Sequence, residues 1–270
     1  MPELKGKVAI VTGAGRLRGI GRASAVHLAQ LGAHVVVTGT GRTSSQLPTE
    51  EQELGWRDIE STCEQIKSLG SKALPLVVDV TQASQVNQMV DNVLDEFGRI
   101  DILVNNAAYA RGPDRVPIHK LDDSIFQKVM DIKVTGTYLC TKAVLKSMLD
   151  NGEGGKIVNV SSVAGKMGSP NTLAYNAANF AVVGMTQSMA KELGPHHINV
   201  NAVCPGTVDT HRMDVIGRGG DWERLIQSTP IRRAGTDDEV GGLIAFLCTE
   251  PASWIQGQSI NIDGGRVMEH

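Results

Sequence analysis

Short apolar runs and amphipathic stretches take turns along the whole chain. Seven runs, at residues 8–12, 34–38, 73–78, 102–105, 156–161, 199–204 and 259–262, are predicted as strands. Several are rich in valine and isoleucine with little polar alternation, as expected of strands covered on both faces. Between them, helical spacing marks 21–31, 56–69, 83–97, 121–149, 175–193 and 236–249. This alternation predicts an α/β chain with one domain over 1–270, in which crossover helices flank a doubly wound parallel sheet of about seven strands. Two connections are longer than a tight turn needs: 39–55 after the second strand and 207–233 after the sixth. The second lies at the carboxyl edge of the sheet and holds His211, Met213, Ile216 and Trp222 together with Gly217, Gly219 and Gly220. That makes 207–233 the expected substrate lid.

Composition narrows the partners. The 26 basic and 29 acidic residues leave a net charge of −3, so no polycationic surface awaits a nucleic-acid backbone. Hydrophobic residues make up 41% of the chain, enough for a sizeable core, yet no run approaches the roughly 18 residues of a membrane span. The apolar stretch 8–11 is too brief for a signal-peptide core, and the expected location is cytoplasmic. Cys63, Cys140, Cys204 and Cys248 are too scattered for a disulfide framework and are expected to be reduced and mostly buried. The 7 histidines show no metal-ligand spacing, so no metal site is expected. Asp122, Asp123, Asp237, Asp238 and Glu239 read as acids at helix starts.

Chemistry enters at the first strand-to-helix turn, Thr12-Gly13-Ala14-Gly15-Arg16-Leu17-Arg18-Gly19-Ile20-Gly21. Glycines there allow a sharp turn and close approach of the backbone to a pyrophosphate, whose charge the helix N-terminus stabilises. Asp79-Val80, Asn105-Asn106-Ala107-Ala108, Pro205-Gly206 and Asp263-Gly264-Gly265 follow other strands. With these pieces the chain resembles the short-chain dehydrogenase/reductase family over nearly its whole length. The resemblance implies a Rossmann-like fold, a homotetramer and a nicotinamide dinucleotide. It places Gly13, Gly15, Arg16, Arg18, Gly19, Ile20, Gly21, Arg42, Asp79, Val80, Asn106, Ala107, Pro205, Gly206, Val208 and Thr210 around that dinucleotide. One departure lies in the turn, where five residues instead of the family's three separate Gly13 from Gly19.

Selectivity for NAD(H) commonly needs a carboxylate just after the second strand, and Thr38-Gly39-Thr40-Gly41-Arg42 has none. Arg16, Arg18 and Arg42 could instead clamp a 2′-phosphate, so NADP(H) is the expected cofactor, with NAD(H) the alternative.

The resemblance also gives Ser162 and Tyr175, 13 residues apart, as the pair that holds and protonates a substrate oxygen. A phenol with a reference pKa of about 10 is a poor base at neutrality unless a nearby cation stabilises its anion. In the family that cation is a lysine four residues past the tyrosine; here the position holds Asn179. At Lys133, conversely, the family usually has asparagine. The exchange suggests that Lys133 projects toward Tyr175 and restores the charge, while Asn179 takes a polar or ribose-binding role. The implied activity is interconversion of a small or medium alcohol and its ketone. The alternative is a cofactor-binding sensor or scaffold that has lost its chemistry through Asn179.

Overall fold

Which way each buried strand residue points decides the architecture. In the computed structural model, which describes residues 3–269, Ala9 and Val11 of β1 (Val8–Val11) enter one hydrophobic layer and Val8 and Ile10 the other. The split recurs in β2 (His34–Gly39), where Val35 and Val37 oppose Val36, and in β4 (Ile102–Asn105), where Ile102 and Val104 oppose Leu103. All these side chains are buried, so neither face of the strands meets water. With β3 (Ala73–Val77), β5 (Gly155–Val160), β6 (Ile198–Pro205) and β7 (Ser259–Ile262) they form a seven-stranded sheet in the order β3-β2-β1-β4-β5-β6-β7. Every pairing is parallel. The predicted strands are thus all present, with small shifts at their ends. Pro75, which has no amide to donate, sits in an edge strand, where such a residue is tolerated.

Helices α1 (Ile20–Gln30), α3 (Asp58–Ser68) and α9 (Asp237–Leu247) cover one face through Leu28, Ile59, Ile66 and Ile244. Helices α4 (Ala83–Phe97), α6 (Gly136–Asn151) and α7 (Leu173–Leu193) cover the other through Met89, Val93, Val144 and Leu193. Fully burying each such aliphatic side chain contributes about 1.5–3 kcal/mol. All four cysteines are free and buried, and burial pushes the thiols of Cys63, Cys140 and Cys248 up to about 12.

The helical pattern over 121–149 proves to be three pieces. Asp122 caps α5 (Asp123–Met130) by accepting from the Ser124 amide at 2.8 Å, a π-helical turn occupies Asp131–Thr135, and α6 continues the rod. The wide turn shifts the phase of the helix locally and turns Lys133 into the protein, where it is buried. The two long connections carry structure of their own. Residues 39–55 hold a short turn and α2 (Thr49–Glu53); residues 207–233 hold the turn His211–Ile216 and α8 (Gly220–Gln227).

Successive strands run outward in opposite directions from the β1–β4 boundary. Open sheets bind ligands at the carboxyl ends of their strands beside such a reversal. Among the described residues, no helix is long and apolar enough to cross a membrane.

Candidate active site

Above that reversal the glycine turn is held from three sides. Gly13 has a positive φ of 67°, and a Cβ there would lie 2.9 Å from the Ala107 Cα, so backbone packs where a side chain would be. The Thr12 hydroxyl accepts from the amides of Asn106 at 3.0 Å and Ala107 at 3.1 Å. The Asn106 amide in turn donates to the carbonyls of Thr12 and Gly13, each at 2.9 Å. The chain after β4 therefore clamps the turn after β1, which explains why Asn106 and Ala107 belong to one site with the glycines. On the third side Gly19 caps α1, and its amide donates to the Asp237 carboxylate at 2.9 Å. Asp237 also accepts from Arg22 at 2.7 Å. Its role thus extends beyond that of an acid at the start of α9.

The arginines expected to clamp a 2′-phosphate are already paired. Arg16 donates to Glu51 of α2 at 3.1 Å, and that carboxylate also accepts from the Leu17 amide at 3.0 Å. Arg18 reaches Glu50 and Asp209, each at 3.1 Å, and Asp214 at 2.6 Å. Arg42 meets Asp58 at 3.2 Å through both its backbone amide and its guanidinium. Among the described residues, no free cationic cluster is left at the end of β2.

Asp58 supplies what the sequence lacked there. It opens α3, 16 positions after Arg42, yet its carboxylate returns to the end of β2. A Cβ on Gly15 would lie 2.0 Å from Asp58 Oδ1, and one on Gly39 would lie 3.3 Å from Oδ2. Hence Gly15 is glycine because an acid occupies the space of its side chain. Two bonds fix the start of α3 against the turn: Trp56 Nε1 donates to the Gly15 carbonyl at 2.7 Å and the Thr62 hydroxyl to the Ala14 carbonyl at 2.8 Å.

The other expected dinucleotide residues frame the same edge. Asp79 accepts from the Thr81 amide at 3.0 Å, and the buried Val80 packs against Gly136. Ile20 begins α1. Pro205 ends β6, and the Gly206 amide donates to the Ile262 carbonyl at 3.0 Å. Beyond it, Val208 bridges to Gly235 and Thr210 is buried at the start of the 211–216 turn.

Ser162 follows β5, and its buried hydroxyl accepts from the Ala164 amide at 3.1 Å. Tyr175 lies in the first turn of α7. With Lys133, Asn179, Ala178, Val129, Ala108, Tyr109, Asp114 and Arg212 it lines a cavity of about 10 Å³. The exchanged residues Lys133 and Asn179 are therefore brought together, but not as expected. The Lys133 ammonium donates to the Val160 carbonyl and makes no hydrogen bond to the phenol. Burial, reinforced by Arg212, lowers its pKa to about 7. Asn179 donates to the Tyr175 carbonyl at 2.8 Å, and its Oδ1 is buried without a partner.

The cations that do contact the tyrosine are arginines. The Arg115 guanidinium carbon sits 3.9 Å from the centroid of the Tyr175 ring and that of Arg212 sits 5.2 Å away.

Residues 13–266 match the family described as "Enoyl-(Acyl carrier protein) reductase". The chain belongs to the short-chain dehydrogenase/reductase family. It is 39% identical over 269 residues to a 3-oxoacyl-[acyl-carrier-protein] reductase of Synechocystis sp., covering 99% of this chain and 100% of that one. A galactitol 2-dehydrogenase of Agrobacterium fabrum is 35% identical over 276 residues, covering 98% and 99%. The crystal structure of carveol dehydrogenase from Mycobacterium avium in complex with NAD superposes with a TM-score of 0.89 at 30% identity, covering 100% of both chains.

Against this short-chain dehydrogenase/reductase frame, sequence reasoning missed Asp58, Glu51, Arg115 and Arg212. It also missed a buried polar relay. Asn105 of β4 donates to Asn159 of β5 at 2.9 Å, and Asn159 donates to Thr186 of α7 at 2.9 Å, fixing the tyrosine helix on the sheet. The polar positions in runs 102–105 and 156–161 were the available signal, since an amide in a buried strand must find a partner.

Proposed function

We propose that this protein interconverts a secondary alcohol and a ketone on a small or medium substrate with a bound nicotinamide dinucleotide. The observation that carries the reading is the meeting of Tyr175, Asn179 and Lys133 around one cavity whose wall includes Ala108, next in the chain to the Ala107 that packs on Gly13. The glycine backbone at Gly13 and the unpartnered Asn179 Oδ1 fit a phosphorylated ligand with hydroxyls to donate. When bound, the dinucleotide supplies or accepts the hydride.

The protein's residues handle the oxygen and its proton. Ser162 holds the substrate oxygen beside the phenol, and Tyr175 gives it a proton in reduction or takes one in oxidation. A cation near the phenol favours its anion, which neutral Asn179 cannot do. Lys133 supplies part of that charge from the same cavity, acting through space, since burial leaves it only partly protonated near neutrality. Segment 207–233 closes over the substrate, and the homotetramer implied by the family belongs to the same proposal.

For the cofactor, the pairing of Arg16, Arg18 and Arg42 supports NAD(H) over the NADP(H) suggested by the bare count of arginines. Asp58 brings a carboxylate to the end of β2, where such folds choose between the two dinucleotides, and this supports a reading in which its charge opposes a 2′-phosphate.

The test is a spectrophotometric panel of alcohols and ketones with NAD(H) and NADP(H). Turnover that falls by about 10²–10⁴ in Tyr175→Phe, with dinucleotide affinity unchanged, is the expected result. Dinucleotide binding without turnover on any substrate would leave the sensor reading in its place.

A further inference from the structure

The chain treats its arginines in two different ways. At the adenosine end each guanidinium is matched by carboxylates: Arg16 by Glu51, Arg18 by Glu50, Asp209 and Asp214, and Arg42 by Asp58. Over the tyrosine the matching thins to a single carboxylate, Asp114, for Arg115 and Arg212 together. Arg115 lies against the Tyr175 ring, with its Nε buried and without a hydrogen-bond partner. Asp114 forms an ion pair with it at 3.3 Å, but the geometry makes no hydrogen bond, so the facing Oδ2 lacks one as well. Arg212 donates to the Tyr109 carbonyl and, among the described residues, forms no ion pair. Lys133 shares the cavity wall with Arg212, and the fields of Arg212 and Arg111 bear on Arg115. Arg115, Arg212 and the partly charged Lys133 thus gather around one phenol with Asp114 as the carboxylate beside them, in a chain whose net charge is −3. Gathering like charges in a half-buried cleft is unfavourable unless an anion joins them.

Resting on the reading given under Proposed function, we propose that Arg115 and Arg212 form a carboxylate clamp in the substrate cleft, and that the alcohol or ketone converted is a hydroxy or oxo acid. Three features support the assignment. The two arginines come from separate loops, Arg115 from the chain after β4 and Arg212 from the chain after β6, so they approach the phenol from different elements. A guanidinium stacked on a ring keeps its planar fork free at the edge, and that fork matches a carboxylate bidentately. Its place against the Tyr175 ring sets the carboxylate a short distance from the reacting carbon, as in an α-oxo or β-oxo acid. The clamp orients the substrate, and Tyr175 still handles the proton.

The experiment is calorimetric titration of the NADH-loaded protein with a homologous series of α-oxo and β-oxo acids and their methyl esters, run beside turnover assays on the same compounds. Acids are expected to bind at least about tenfold more tightly than their esters, a difference of about 1.4 kcal/mol. Arg115→Gln and Arg212→Gln should each erase most of that preference by raising KM for the acids more than for the esters. Arg115→Lys should restore part of it. A series in which acids bind no better than esters, including one in which neither binds, overturns the clamp. So does an acid preference that survives both glutamine variants, or a stronger preference for a phosphorylated ketone. Equal loss of kcat on acids and neutral alcohols would assign the arginines to the phenol instead. In Tyr175→Phe the acid preference in binding should persist while turnover is lost. A clamp that survives where no substrate turns over would overturn the reaction assignment alone.

Discussion

Lys133 and Asn179 line the same cavity beneath Tyr175, one from a π-helical turn and the other from the first turns of α7. They are the two residues whose types are exchanged relative to the family pattern. Their meeting turns two sequence departures into one structural arrangement. The lysine is held by the Val160 carbonyl and the asparagine keeps an unpartnered oxygen, so each has hydrogen-bonding capacity left for a ligand.

The sign of a pH effect follows from that burial. The folded protein holds Lys133 near 7, against an ordinary value of 10.5, so between those values the unfolded chain binds more protons than the native one. Stability contributed by this group therefore rises as pH increases from about 7 to 10.5 and is least below 7. Lys133→Met should flatten this rise, as read from Tm against pH in wild type and variant. An unchanged slope would mean that the lysine is not buried.

Restoring the family's lysine alone should harm the site. Asn179→Lys would put two ammonium groups around about 10 Å³ of space, and turnover and stability should both fall. The double variant Lys133→Asn with Asn179→Lys relieves the repulsion and should recover most of the kcat lost by the single one. Higher kcat in Asn179→Lys alone would identify the present asparagine as a lesion.

Dinucleotide choice turns on Asp58. Asp58→Asn removes the charge that opposes a 2′-phosphate while keeping the shape, and NADPH should bind at least about tenfold more tightly to the variant than to wild type. Fluorescence titration of NADH and NADPH reads the ratio. Wild-type preference for NADPH would refute the assignment.

The polar relay between β4, β5 and α7 should show in stability. Asn159→Ala leaves Asn105 and Thr186 each short of a buried partner and should cost about 1–3 kcal/mol for each group so orphaned. Urea unfolding would measure it, and a loss below about 0.5 kcal/mol would mean that solvent or a neighbour takes over the bonds.

The sheet was legible because buried parallel strands announce themselves as short apolar runs, as Val8 to Val11 and Val35 to Val37 do. The glycine turn was legible for the same local reason, since strand, turn and helix are contiguous. What escaped were contacts between distant segments. Asp58 lies outside any window drawn around the end of β2, and only the folded path of 39–57 brings it back. The π-helical turn escaped because its phase shift falls within five residues, Asp131–Thr135, of a pattern read over 121–149. Arg115 and Arg212 lie in loops, where an arginine is ordinarily solvated.

The widened glycine turn and the long connection after β2 are physically one unit. The stretch Arg16 to Arg18 of the widened glycine turn is braced by Glu50 and Glu51 of the excursion after β2. Trimming the turn to the usual length would strand Glu51, a buried carboxylate, without its cation; deleting the excursion would strand Arg16. Anyone transplanting either segment into a related scaffold must carry both, and a hybrid containing only one should misfold locally at its ligand-binding mouth.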